Sequence, residues 1–336
     1  MNMRSVFYPR LVNDAFGDPA LYVRLAHRGE ALLFDCGDLH LLTTRETLKI
    51  REVFISHAHI DHLIGFDALL RTFLHQEGPL RIYGPPGLAD RIAGRLSGYT
   101  WNLVAGYPLV LTVSEWGPDG GRQVVFRAAH SFRPEEETPL EKGEGLLRQT
   151  DYYRVRAVPL DHGNIVSLAF VLEEPLHVAI HKDALVHHGY RPGPWLTRFK
   201  DRMRQGVAPE TPVLVPLDPK GEIVVPLAEL SRQIAHVERG MKISYVTDAA
   251  PTEKNMEKIA ALGADSHLMV IEATFAHRDL ERAMQRNHLT ARLAGQIARK
   301  ARAARLLVFH HSPRYQENPE LLADEAREAF AGENYD

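Results

Sequence analysis

Phe54-Ile55-Ser56-His57-Ala58-His59-Ile60-Asp61-His62-Leu63-Ile64-Gly65 is the stretch on which the reading of the whole chain turns. Its run His57-x-His59-x-Asp61-His62 places three imidazoles and a carboxylate in six residues, directly on an apolar strand read at 52–56. Such groups are costly to bury beside a strand unless something neutralises and fixes them. Imidazole nitrogen and carboxylate oxygen are the donors that zinc-class ions take. Alternate side chains of an extended segment point the same way, so His57 and His59 can grip one ion together. Asp61 and His62 then turn with the loop toward a second position. An exposed histidine-rich loop is the plain alternative.

A centre of that kind needs further donors, and strand ends are where they should lie. Working outward, strands are read at 20–26, 30–35 and 80–83, with helices at 63–74 and 88–96. Residues 109–173 read mostly as β, at 109–113, 123–128, 152–160 and 165–172, and the charged stretch 133–145 reads as an exposed loop. From 242 onward, strands at 242–247, 267–272 and 305–309 alternate with helices at 253–262 and 290–303. This pattern predicts an α/β protein with helices packed outside sheets. His162, Asp248 and His310 each follow one of these strands. They supply what the first cluster lacks: two further imidazoles and a carboxylate able to bridge.

The 336 residues carry a formal charge of -3, which argues against non-specific coating of nucleic acid but leaves room for a local basic patch. A composition 45% hydrophobic and 25% charged is that of a globular protein with material for a sizeable core. The single cysteine, Cys36, excludes an internal disulfide and fits a reducing compartment. Its place at a strand end reads as a packed core thiol. No window has the roughly 18 apolar residues that a membrane span needs. Met1–Ser5 begins polar, without the apolar stretch of a signal peptide, so the expected location is cytoplasmic.

The histidine run resembles the defining motif of the metallo-β-lactamase superfamily. Within it the chain is similar to ribonuclease Z, the endonucleases that trim the 3′ trailer from precursor tRNA. The supporting stretches are Leu33-Phe34-Asp35-Cys36-Gly37, Tyr83-Gly84-Pro85-Pro86-Gly87, Pro159-Leu160-Asp161-His162-Gly163, Val246-Thr247-Asp248, Glu272-Ala273-Thr274-Phe275, His288-Leu289-Thr290 and His310-His311-Ser312-Pro313-Arg314-Tyr315. The resemblance implies a four-layer αββα sandwich as a single domain over 1–336, a homodimer, and two divalent ions. Zinc is the first expectation for them, and manganese or iron accept the same donors. His57, His59, His162 and Asp248 would hold the first ion, and Asp61, His62, Asp248 and His310 the second. By the same resemblance Asp61 orients or deprotonates the attacking water, His288 helps protonate the leaving oxygen, and Glu272 orients His288. Ser312 and Arg314 are expected among the substrate contacts. Of the adjacent pair, His310 rather than His311 matches the family's ligand.

Residues 175–206 are rich in His, Arg and Lys around Arg191-Pro192-Gly193-Pro194 and show no strand pattern. They read as a protruding arm with a helix on either side of that turn. Arg198, Lys200, Arg202 and Arg204 would then contact RNA phosphates, as the family's arm does; a solvated basic helix is the alternative. His177, His181, His187 and His188 read as a solvated face. The chain departs from the family at Tyr8–Asp14, at Asp38-Leu39-His40, at Ile271 and at Ala249. The expected activity is therefore metal-dependent hydrolysis of a phosphodiester in structured RNA such as precursor tRNA. A small-molecule enzyme on the same fold stays open, acting on a cyclic or aryl phosphodiester or, further off, a lactone or thioester. So does a metal-retaining binding protein without catalysis. An extended basic surface would mark the nuclease, a closed pocket the small-molecule enzyme.

Overall fold

A computed structural model describes residues 6–141 and 143–332. Met1–Ser5, the segment read for a signal peptide, lies outside them. The chain divides into two compact units, the larger within 1–147, 156–171 and 242–336, the smaller within 148–155 and 172–241.

The larger unit carries an eight-stranded sheet whose neighbours follow chain order: Phe7–Leu11, Leu21–Leu25, Ala31–Phe34, Ile50–Phe54, Pro79–Gly84, Val110–Gly117, Gly120–Arg127 and Pro134–Leu140. From Ala31–Phe34 to Val110–Gly117 the neighbours are parallel. A second, six-stranded sheet runs in the order Leu306–Phe309, Leu268–Glu272, Lys242–Val246, Ile165–Glu173, Arg154–His162 and Leu146–Gln149. Its first three strands are parallel. Strands such as Ala31–Phe34 are buried at every residue, the mark of parallel strands covered on both faces.

Alternation along those strands sorts the two faces. Leu33, Val53, Ile82 and Leu111 pack with helices Phe66–Phe73 and Leu88–Ser97. Ala169, Val246, Met269 and Ile271 pack with helices Glu253–Leu262, Ala291–Lys300 and Leu321–Ala331. On the opposite faces, Phe34 and Phe54 of the first sheet meet Phe170 and Tyr245 of the second at centroid separations of 5.8–5.9 Å. Helices, sheet, sheet, helices: the expected αββα order is present. Truncating one of these phenylalanines would cost about 3–5 kcal/mol.

One expectation needs correction. Residues 133–145 are not all loop, because Pro134–Leu140 pairs antiparallel with Gly120–Arg127 as an edge strand. An edge tolerates Pro134, Glu135, Glu137 and Pro139, which hid the strand from a hydrophobicity reading. Among the described residues, no helix is long and apolar enough to cross a membrane.

The smaller unit has its own core, built from Val178, Leu185, Trp195, Phe199, Val213, Val215 and Leu230. The two helices expected around Arg191–Pro194 are there, Lys182–His187 and Trp195–Gln205. However, His177–Ile180 is a strand paired with Ala235–Glu238, contrary to the reading of 175–206 as strandless. His177 is likewise not solvated: it is buried, with Nδ1 3.0 Å from Glu174 Oε2.

Candidate metal centre

Strands from both sheets deliver polar side chains at or just past their ends: Asp35, His57, His162, Asp248, Glu272 and His310. The carboxyl ends of parallel strands are where α/β proteins place ligands. Three of these residues leave the strand abruptly. Asp35, Asp248 and His310 have φ of 56°, 48° and 59°, a left-handed conformation that non-glycine residues adopt rarely and that clusters at functional sites.

The motif turns through the 3-10 segment Ile60–His62. Backbone bonds fix it from both sides: Cys36 N–H donates to His62 O and Gly65 N–H to Cys36 O, each at 2.9 Å. A Cβ on Gly65 would come within 2.1 Å of Gly37 O, so the glycine closing the motif is required for this approach.

The donors gather in three sets. His57, His59, His162 and Asp248 bring one donor atom each to within 4.8 Å of one another, Asp61, His62 and His310 do the same, and so do Asp248, His288 and His310. Asp248 Oδ2 lies 3.3 Å from His57 Nε2 and 3.4 Å from His162 Nε2. Its Oδ1 lies 3.1 Å from His310 Nε2 and 3.6 Å from His62 Nε2. Nε2 of His57 and of His62 are buried without a hydrogen-bond partner among the described residues. Buried polar atoms are rarely left so, and imidazoles converging with carboxylates fit a divalent cation. The histidine and aspartate cluster is thus chemically suited to hold metal.

The opposite ring nitrogens explain why Nε2 points inward. His62 Nδ1–H donates to Asp35 Oδ2 at 2.9 Å, and His162 Nδ1–H to the Asn287 carbonyl at 2.9 Å. Such bonds fix a ligand's tautomer and orientation. Asp35, fully buried, also accepts from Ser56 N–H at 2.7 Å, Ser56 Oγ at 2.8 Å and the Tyr245 hydroxyl at 2.9 Å. In the sequence, Asp35 is marked only as a carboxylate directly after four apolar strand residues. Ser56, Tyr245 and Asn287 carried no local signal.

His288 stands beside this cluster. Its Nδ1 is 2.8 Å from Glu272 Oε2, and Glu272 is itself fully buried. Thr274 Oγ1 donates to Glu272 Oε2 at 2.6 Å, and Ala249 N–H to Oε1 at 2.7 Å. The departure at Ala249 therefore leaves this contact intact, since it uses only backbone. Burial disfavours the charged ring, but Glu272 and then Asp248 outweigh it and raise His288 to about 9. Burial would likewise raise Asp61, yet the hydrogen bond and charge of His62 hold it at about 2. Asp248 is driven well below the carboxylate range despite its burial, by His310 and His62. His57 and His59 are lowered, chiefly by burial.

His310 faces the cluster and His311 does not: His311 Nδ1–H donates to Ala273 O at 2.8 Å, and burial lowers its pKa to about 4. Of the expected substrate contacts, Arg314 lies 3.6 Å from Asp279 Oδ1, and Ser312 precedes the turn Pro313–Tyr315 without a side-chain capping bond to it. In the smaller unit Arg198 is exposed, Lys200 half-buried, and Arg202 donates to Pro212 O at 2.8 Å. Arg204 corrects the expectation. Its side chain is 9% exposed and bonded to Glu174 at 3.1 Å and Asp201 at 3.2 Å, so it is committed to packing rather than offered to RNA.

No family model matches the chain. It is 31% identical over 305 residues to a ribonuclease Z of Deinococcus radiodurans, covering 89% of this chain and 88% of that protein. Among solved structures it is similar to the short form of human tRNase Z (20% identity, TM-score 0.51, 92% of each chain). It is also similar to the metallo-β-lactamase fold protein YhfI from Bacillus subtilis (14% identity, TM-score 0.52, 96% of this chain and 92% of that one). The structural likenesses identify the fold as that of the metallo-β-lactamases.

Proposed function

This chain belongs to the ribonuclease Z family, and from that premise we propose that it is a metal-dependent endonuclease that hydrolyses a phosphodiester in precursor tRNA. The observation that carries the proposal is the placement of the Glu272–His288 pair beside donors that converge on both oxygens of Asp248.

His57, His59, His162 and Asp248 would hold one ion, and Asp61, His62, His310 and Asp248 the other, with zinc the expected metal for nitrogen and oxygen donors. Two divalent ions so held would supply Lewis-acid polarisation of the phosphate and a water acidified toward neutrality. The chain's own groups do the rest. Asp61, its side chain 34% exposed and its carboxylate held ionised by His62, orients the attacking water. His288, kept protonated by Glu272, donates from Nε2 to the departing oxygen. Arg198, Lys200 and Arg202 of the smaller unit contact RNA phosphates. The enzyme acts in the cytoplasm, as its single cysteine suggests, and as a homodimer, the state that the resemblance implies.

The test is cleavage of a precursor tRNA carrying a 3′ trailer, run beside a cyclic nucleotide and an aryl phosphodiester. A single cut releasing the trailer, abolished by a chelator, is expected. Turnover of the small esters with the precursor left whole would overturn the reading.

A further inference from the structure

Asn287 ends the helix Leu280–Arg286 in the left-handed conformation, with φ 59°, its backbone N–H returning to Ala283 O and Met284 O. Asparagine is, after glycine, the residue that most readily adopts this conformation at a helix end. Two groups that follow that dihedral, the Asn287 carbonyl and the His288 ring, both reach the site. The Asn287 carbonyl accepts from His162 Nδ1 at 2.9 Å. The next residue, His288, has Nδ1 2.8 Å from Glu272 Oε2, its ring centroid 5.2 Å from that of His162 and 5.6 Å from that of His310. The Asn287 side chain also closes against the loop after His162, since a Cβ on Gly163 would come within 2.8 Å of Asn287 Nδ2.

We propose that Asn287 is a positioning residue whose left-handed backbone sets the His162 ring and the His288 ring at once. The inference deepens the function proposed above and rests on its assignment of His162 to metal and His288 to proton donation. Rotating the Asn287 backbone to a right-handed or extended conformation swings its carbonyl away from His162 Nδ1. The same rotation changes where His288 leaves the helix. A β-branched residue resists the left-handed conformation, whereas glycine adopts it freely. The backbone carbonyl is present in every variant, so the comparison isolates conformation from chemistry.

The experiment titrates zinc into metal-depleted protein against a chromophoric chelator, for the parent, Asn287→Val, Asn287→Gly and His162→Ala, with no substrate present. Asn287→Val should weaken the tightest zinc by about 10–100-fold, the usual consequence of losing an outer support of a ligand, and approach His162→Ala. Asn287→Gly should recover most of that affinity. On the loaded proteins, Asn287→Val should lower kcat for an alkyl phosphodiester far more than for a nitrophenyl ester, with KM little changed. Should Asn287→Val fail to fold, Asn287→Ala makes the same comparison with a smaller backbone penalty. Parental zinc affinity in Asn287→Val, or equal loss in the glycine and valine variants, would overturn the inference. Because the zinc titration uses no RNA, inability of the parent to cut precursor tRNA would sink the functional reading and leave this result standing.

Discussion

Asp248 Oδ1 lies 3.1 Å from His310 Nε2 while the other oxygen of the same carboxylate faces His57 and His162. One side chain thereby faces histidines of both donor sets, held at φ 48° by a turn straight after the strand Lys242–Val246. The purified protein should therefore carry close to two divalent ions per chain, and Asp248→Ala should lower occupancy at both positions rather than one. Elemental analysis measures this directly; a mutant retaining one full equivalent would show that the carboxylate does not bridge.

Proton donation makes a different prediction. Replacing His288 by alanine should slow cleavage of a poor leaving group by about 10²–10⁴-fold, the range for a positioned acid. A nitrophenolate leaves without a proton, so its ester should suffer far less. Equal losses on both substrates would reduce His288 to a phosphate contact.

How much of this was legible depended on whether a residue's role was local. The run from His57 to His62 announced itself because four of six consecutive residues are metal-donor types. Asp248 and His310 were readable because each ends an apolar strand, and the strand ends of an α/β fold converge. Asp35 ends an apolar strand too, but its role is to hold the ring of His62, 27 residues further along, and no local pattern names that partner. The edge strand Pro134–Leu140 escaped because little of it is buried and no apolar face repeats along it. The smaller unit was seen only in part: its segments 148–155 and 172–241 are separated in sequence, and its apolar core is spread among His, Arg and Lys.

Cys36 tests the packing behind the motif. The thiol is fully buried, and burial, followed by the neighbouring Asp35 charge, pushes its pKa far up. Reactivity needs thiolate and access. Native protein should give no labelling with a thiol reagent over a period in which urea-unfolded chain labels completely. Rapid native labelling would mean that the 35–37 turn, and with it the support of His62, opens readily.

Arg204 should behave as a structural residue. Its guanidinium is paired with Glu174, whose side chain is 1% exposed and which also accepts from His177 and from Met241 N–H. Removing one partner of a buried pair strands the other charge, so Arg204→Ala should destabilise the protein by about 3 kcal/mol, the low end for such a loss because Glu174 keeps two contacts. Denaturant unfolding measures it. An unchanged midpoint would return Arg204 to the set of RNA contacts.

The remaining basic residues of that helix decide whether it grips RNA. Arg198 is exposed, and Lys200 and Arg202 lie on the same helix Trp195–Gln205. Each phosphate contact releases counterions, so log K for RNA falls with log salt by roughly 0.7–0.9 per contact. Replacing all three by alanine should weaken binding of precursor tRNA and make that slope shallower by about 2–3 if every one meets a phosphate. None of the three is among the site's metal donors, so turnover of a nitrophenyl phosphodiester should not change. Keeping Arg204 intact separates this test from a loss of fold, which would depress both substrates together. A triple variant with parental RNA affinity and parental salt slope would remove this helix from the RNA-binding surface, whatever the metal centre proves able to cut.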